Sequence, residues 1–187
     1  MQRLVIVGNS AAGLAAIEAI RARDRRSPIT LIAAERHPPY SRVMLTYLLA
    51  GKLSRDELFL HRPDWYRQMG VKALSGRRAV AIDTRRREIV IEPSRTSHQV
   101  PYDRLLIATG ALAQRPALPG IDLPGVFCLR DLDDAVAILQ YAETLGPHAR
   151  AVFLGGGPVC LQALTALADR GMKVTLVVRS PAIFSQL

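Results

Sequence analysis

Two stretches of this chain, RLVIVGNSAAGLAAIEAI from Arg3 and RAVFLGGGPVCLQALTAL from Arg150, superimpose at a constant offset of 147 residues. Gly8 falls on Gly155, Ser10 on Gly157 and Leu14 on Leu161. Each stretch opens with a short apolar run fit for a buried parallel strand, breaks at a turn of very small residues, and resumes as Ala/Leu-rich sequence with helical spacing. A second apolar run follows each time, ITLIA at 29–33 and KVTLVV at 173–178. One strand–turn–helix–strand unit is therefore present twice, and parallel strands joined by a helix are nearly always right-handed crossovers in one sheet. The predicted fold class is α/β: a three-layer Rossmann-like domain with a parallel sheet and a small β-meander, then the first βαβ unit of a second Rossmann-like domain.

Between the two copies the pattern is less regular. Asp64 to Met69 reads as a short helix, and AVAID at 79–83 with EIVIE at 88–92 reads as two strands around the polar turn TRRR. YDRLLIATGA reads as a strand ending at Thr109 and Gly110, followed by a connection through Pro116, Pro119 and Pro124. The boundary expected there divides the chain into residues 1–115 and 116–187. A helix is expected over Leu132 to Leu145, capped by Asp131 or Asp133 and stopped at Gly146-Pro147.

The small turns have a physical purpose. A nucleotide pyrophosphate is an anion that binds well at a helix N-terminus, where free backbone N–H groups and the helix dipole point outward. In the usual G-x-G-x-x-G pattern the first Gly makes the turn, the second admits phosphate and the third lets helix and strand pack closely. The first copy reads Gly8-Asn9-Ser10-Ala11-Ala12-Gly13, keeping the first and third glycines and placing Ser10 at the second. Glu35 lies 22 residues after Gly13, just beyond the second strand, where a carboxylate accepts hydrogen bonds from ribose hydroxyls.

The second copy keeps Gly155, Gly156 and Gly157 and has Pro158 in the first helical turn, where no N–H is missed. Its third position is Cys160, which holds helix and strand further apart. No acid follows its second strand; Arg179 stands there, and arginine accommodates a 2′-phosphate. Two readings of this copy stand side by side: a nicotinamide dinucleotide site leaning toward NADPH, and a structural relic.

Composition bounds the rest. The formal charge is +9, from 25 Lys+Arg against 16 Asp+Glu, and runs such as RARDRR suit a solvated face or an acidic partner. Nucleic acid is not expected, since aromatics make up 5% of residues and none interleaves the basic runs. Cys128 and Cys160 form no paired motif, so neither a disulfide framework nor a metal site is expected, and a reducing cytoplasm is the simplest compartment. No membrane span is expected: the uncharged stretch from Ala151 to Ala168 carries three glycines and a proline in its first half.

Taken together, VIVGNSAAGLAA, AERHPPYSRVMLTYLLAGK, YDRLLIATGA, LPGVFCLRDLDDA and the Gly-rich second copy with KVTLVVRSP resemble the FAD-dependent pyridine nucleotide oxidoreductases. The branch they resemble is that of rubredoxin reductase, putidaredoxin reductase and the flavin module of nitrite reductase, in its N-terminal portion. The resemblance implies that Gly8, Ser10, Ala11, Ala12 and Gly13 surround an FAD pyrophosphate. Glu35 then holds the adenosine ribose, with Arg36 beside it among the cofactor-binding residues. It further implies that Arg42 approaches the phosphates or flavin, that Arg130 is a cofactor-contacting arginine, that the backbone of Ala79 meets adenine, and that Ala108, Thr109 and Gly110 form the turn approaching the cofactor. Gly155, Gly157, Pro158 and Arg179 would serve NAD(P)H. Two neutral residues depart from the family pattern, Tyr47 where relatives often carry Lys and Gln162 where they often carry Glu. No cysteine precedes Cys128, so the dithiol chemistry of the disulfide reductases is not expected.

The expected function is that of an electron-transfer flavoprotein component working between NAD(P)H, FAD and an iron–sulfur carrier. The alternative is a non-catalytic nucleotide-binding subunit with a decayed nicotinamide site. Expected partners are an acidic ferredoxin- or rubredoxin-like carrier and a second polypeptide or missing C-terminal half, without which these residues are not expected to turn over.

Overall fold

A computed structural model describes residues 1–92, 98–146, 148–181 and 183. Its elements run β1 (Leu4–Val7), α1 (Ala11–Arg23), β2 (Ile29–Ala33), α2 (Leu45–Leu49), α3 (Trp65–Gln68), β3 (Val71–Ser75), β4 (Arg78–Asp83) and β5 (Glu88–Glu92). They continue as β6 (His98–Pro101), β7 (Arg104–Ile107), α4 (Leu132–Leu145), β8 (Arg150–Leu154), α5 (Pro158–Asp169) and β9 (Lys173–Val177). The chain forms two compact units, one of Met1–Tyr40 with Phe59–Ala111, the other of Ser41–Leu58 with Leu112–Leu187.

The first unit is built on a four-stranded parallel sheet of order β3-β2-β1-β7. Because β1 is central, both its faces are covered, and Val5, Ile6 and Val7 are all buried. Strand alternation divides them. Ile6 joins Ile29, Leu31 and Val71 under Ile17 of α1, with Trp65, Tyr66 and Met69 packed at the margin. Val5 and Val7 join Ile32 on the other face, against Ile89, Ile91, Val100 and Tyr102 of the meander. Helix, sheet and meander are thus three layers, held by aliphatic side chains whose burial contributes roughly 1.5–3 kcal/mol apiece.

The meander is an antiparallel sheet of order β4-β5-β6, with an irregularity between Ala79 and Ala81. Its first turn closes where the Asp83 carboxylate accepts the amides of Arg85 and Arg86, both at 2.9 Å, which lets Arg87 adopt φ +55°. The paired runs expected at 79–83 and 88–92 are both present, the first starting one residue earlier. Strands β3 and β6 are additions: Val71–Ser75 carries a lysine and one strongly buried residue, so its periodicity is weak, and it becomes a strand by pairing with β2.

In the second unit, β8 and β9 pair in parallel around the α5 crossover. Helix α4 starts as expected at Asp131, whose carboxylate accepts the Asp134 amide at 3.0 Å while Asp134 accepts the Asp131 amide at 3.2 Å. This reciprocal capping satisfies two of the amides that a helix start leaves unpaired. Gly146, at φ +80°, ends the helix; Pro147, expected to help stop it, lies outside the described residues. The C-terminal end of α2 is tied to that of α5 by Lys52 Nζ to Asp169 Oδ2 at 2.8 Å and Arg170 Nη1 to the Leu49 carbonyl at 3.3 Å. Among the described residues no helix is long and apolar enough to cross a membrane.

Candidate functional site

The first turn is built by closure from both sides. At the end of β1 the Gly8 amide donates to the Ile32 carbonyl of β2 at 2.9 Å, and on the opposite side the Ala108 amide donates to the Val7 carbonyl at 2.7 Å. Gly8 sits between them at φ +123°, and a Cβ added to it would lie 2.1 Å from the Ala108 oxygen. Helix α1 starts directly above: a Cβ at Gly13 would lie 2.1 Å from the Gly8 oxygen. Both glycines are therefore required by contact, and Gly8 by its backbone conformation as well.

Ser10 is the residue before the helix, extended at φ −139°, and its carbonyl accepts the Leu14 amide at 3.0 Å. Ala11 and Ala12 are exposed, so the N-terminus of this 13-residue helix presents no side chain larger than a methyl. Gly8 thus lies against both Gly13 and Ala108; Thr109 and Gly110 continue from Ala108, Gly110 at φ +66° with open space beside it. Such a corner, with narrow walls and an unobstructed helix start, fits an anionic diphosphate.

The adjacent strand end carries the acid. Because β1 and β2 are parallel neighbours, Glu35, two residues beyond β2, stands at the same sheet edge as the turn. Tyr40, a buried residue, donates its hydroxyl to Glu35 Oε2 at 2.6 Å. The Glu35 backbone is held as well, its carbonyl accepting the Gly76 amide at 3.0 Å. Exposed Arg36 lies along Gly76, where a Cβ would come within 2.9 Å of its Cγ. Ala79 occupies β4 opposite Ile91 and packs at the margin of the meander core.

The remaining expected residues belong to the second unit. Arg42 donates from Nη1 to the Arg130 carbonyl at 3.0 Å, and the Arg130 amide donates to Asp134 Oδ2 at 2.8 Å. Gly155 repeats the geometry of Gly8, at φ +113° with its amide donating to Val177 at 2.9 Å. Gly157 then caps α5 and Pro158 opens it. Arg179 is exposed, two residues past β9.

The two turns differ in their walls. No heavy atom lies within 4 Å of a Cβ at Gly155, because among the described residues β8 pairs with β9 alone. Cys160 stands where Gly13 stands in the first copy, and the approach made over Gly13 is closed to a residue with a side chain. Burial pushes the Cys160 thiol up, the direction opposite to that of an activated thiolate. Tyr47 and Gln162, the two neutral departures, line a cleft of about 280 Å³ between α2 and α5, together with Thr46, Lys52, Thr165 and Asp169.

Residues that the sequence reading did not single out also shape the first site. Asn9 donates from Nδ2 to the His37 carbonyl at 3.3 Å and accepts the Tyr66 hydroxyl at Oδ1. Tyr40 and Tyr66 carry no spacing signal, since each reaches its partner only through the tertiary fold.

Comparison with known proteins gives a consistent result. Residues 2–187 match the family described as Pyridine nucleotide-disulphide oxidoreductase. The assimilatory nitrate reductase electron transfer subunit of Bacillus subtilis is 32% identical over 186 residues, which cover 99% of this chain and 23% of that protein. The biphenyl dioxygenase system ferredoxin–NAD(+) reductase component of Paraburkholderia xenovorans is 35% identical over 175 residues, 93% of this chain and 41% of that protein. Among solved structures, the NAD-dependent persulfide reductase from A. fulgidus superimposes with a TM-score of 0.87 at 30% identity, covering 93% of this chain and 33% of its own. The chain thus spans less than half the length of each of these relatives.

Proposed function

The chain belongs to the pyridine nucleotide-disulphide oxidoreductase family, and from that membership we propose that it is the nucleotide-binding front of a flavoprotein passing electrons from NAD(P)H through FAD to an iron–sulfur carrier. The observation that carries this reading is the corner at Gly8, Gly13 and Ala108, where a methyl group on either glycine would collide with a carbonyl oxygen at 2.1 Å. A merely structural turn has no need of a helix start left clear by Ser10, Ala11 and Ala12. We assign the pyrophosphate of FAD to that corner, the adenosine ribose to Glu35 with Arg36 beside it, adenine to the backbone of Ala79, and the approach to Thr109 and Gly110.

In this reading residues 1–115 carry the FAD-binding part and residues 116–187 the start of the nicotinamide-binding part. Arg42 serves the phosphates or flavin, Arg130 contacts the cofactor, and Gly155, Gly157 and Pro158 receive the nicotinamide dinucleotide. Exposed Arg179, with no acid beside it, favours NADPH by pairing with a 2′-phosphate. FAD held by these residues would supply the hydride-accepting and single-electron chemistry between reduced nicotinamide and the carrier. The chain's own residues bind and orient the two dinucleotides. The relative named as a ferredoxin–NAD(+) reductase component supports a carrier of that class, and a charge of +9 suits an acidic one. The remainder of the flavin site is assigned to polypeptide beyond these residues, and the compartment to the cytoplasm. The alternative of a structural subunit with a decayed site draws no support from relatives named as reductases.

Anaerobic titration tests the proposal. The natively expressed protein is expected to show flavin absorption bands that bleach within seconds of adding NADPH, and more slowly with NADH. Absence of the bands, or bands that neither nucleotide bleaches, would sink it; faster bleaching by NADH would remove the role given to Arg179.

A further inference from the structure

Asn9 occupies a position of the turn to which the glycine pattern gives no task, yet its amide spans two segments. The His37 carbonyl can only accept, so Nδ2 must face it, at 3.3 Å. That leaves Oδ1 toward Tyr66, whose hydroxyl therefore donates. Burial pushes the Tyr66 hydroxyl up, so it stays protonated and remains a donor.

Tyr66 is itself held independently of the turn. It meets Trp65 edge-on at 5.2 Å between ring centroids, and Trp65 stacks on His61 at 4.1 Å. The far end of α3 is strapped down by Arg21, whose guanidinium donates to the carbonyls of Met69 at 2.6 Å and Asp24, Ser27 and Gly70, each at 3.0 Å.

The geometry points to Asn9 as the link that sets the spacing between the phosphate turn and the loop bearing Glu35, with Tyr66 as the positioning residue that orients its amide. This rests on the reading of the turn as the FAD pyrophosphate site. The diphosphate and adenosine ribose of one ligand are joined covalently at a set distance, so the groups receiving them must keep a matching one. The β1–β2 ladder ends with the Gly8 amide on Ile32; Asn9 to His37 carries the connection past the end of the ladder. An aspartate here would set a carboxylate against a carbonyl and beside the phosphates, which is why a neutral amide suits the position.

The test is the FAD dissociation constant of the natively expressed apoprotein, read by flavin fluorescence, with ADP measured in parallel. Tyr66→Phe is expected to weaken both ligands by the same factor, about fivefold. Asn9→Ala weakens them at least as much, and the double variant no more than Asn9→Ala alone, because Tyr66 acts through Asn9. Losses that multiply in the double variant overturn the proposal, as does Tyr66→Phe with unchanged affinity. Glu35→Ala separates the premises: if it weakens FAD binding while Tyr66→Phe does not, only the spacing role falls, whereas unchanged affinity in both removes the site reading as well. Should Tyr66→Phe fail to fold, Asn9→Ser decides, since serine cannot span from Tyr66 to His37; normal affinity in that variant overturns the proposal.

Discussion

At Gly8 two demands coincide, a backbone at φ +123° and a carbonyl oxygen where a side chain would begin. Either alone is tolerable at some cost; together they leave no route for relaxation, because the obstructing Ala108 is itself hydrogen-bonded to β1. Gly8→Ala is expected to destabilise the protein by at least about 2 kcal/mol, read as a lower denaturant midpoint with loss of any bound FAD. Gly155 has a similar φ of +113° but open space around it, so its demand is conformational only. The glycine spacing made both turns legible in the sequence, while the difference between them was not: it depends on whether a strand such as β7 returns to the open side. Asn9, Tyr40 and Tyr66 were illegible for the same reason, since hydrogen bonds between residues 5 and 57 positions apart follow no periodicity.

Among the elements, those with strong local signals appear where their sequences put them. Helix α1 is alanine-rich, which favours helix, and it ends at Arg23, where the Asp24 amide still donates to Ile20 at 2.7 Å. Helix α4 owes its register to Asp131, whose carboxylate takes the Asp134 amide. Asp131→Ala is expected to cost about 1 kcal/mol, measurable by chemical denaturation, with the shift smaller in Asp131→Asn because the amide oxygen still caps. Strand β3 shows the opposite case. Its five residues include a lysine and end in a serine, and they are recruited by the ladder with β2 from Ile29–Val71 to Ala33–Ser75.

Across the whole molecule the excess of positive charge makes the carboxylates the groups that bind the fold to pH. Asp103 is held down to about 2, chiefly by the Arg3 guanidinium and next by the Arg3 amide, which ties the start of β1 to the approach of β7. Asp24 is held down to about 2 by the Ser27 hydroxyl and then by the amides of Ser27 and Arg26. Glu57 and Asp64 are also lowered, by Ser54 and Gln68 respectively. Each is more acidic folded than unfolded, so its contribution is complete above the ordinary carboxylate range and vanishes as pH falls from about 4 toward 2. Melting temperature is therefore expected to be flat from neutral pH to about 5 and to fall steeply below 4. Arg3→Ala should soften that fall; an unchanged acid limb would show that Asp103 has no part in it. Because these groups are exposed, each contributes little alone and the drop is collective.

The sequence by itself determined the repeated strand–turn–helix–strand units and the family to which they belong. Those features rest on backbone preference and hydrophobic period, which act among residues within a few positions of each other. Tertiary structure alone decided that β7 closes against Gly8, that Tyr40 holds Glu35, that Tyr66 and His37 share the Asn9 amide, and that Arg42 bonds to Arg130. Such contacts join segments that only chain closure brings together, and a hydrogen bond or a steric wall exists only once both of its partners have arrived.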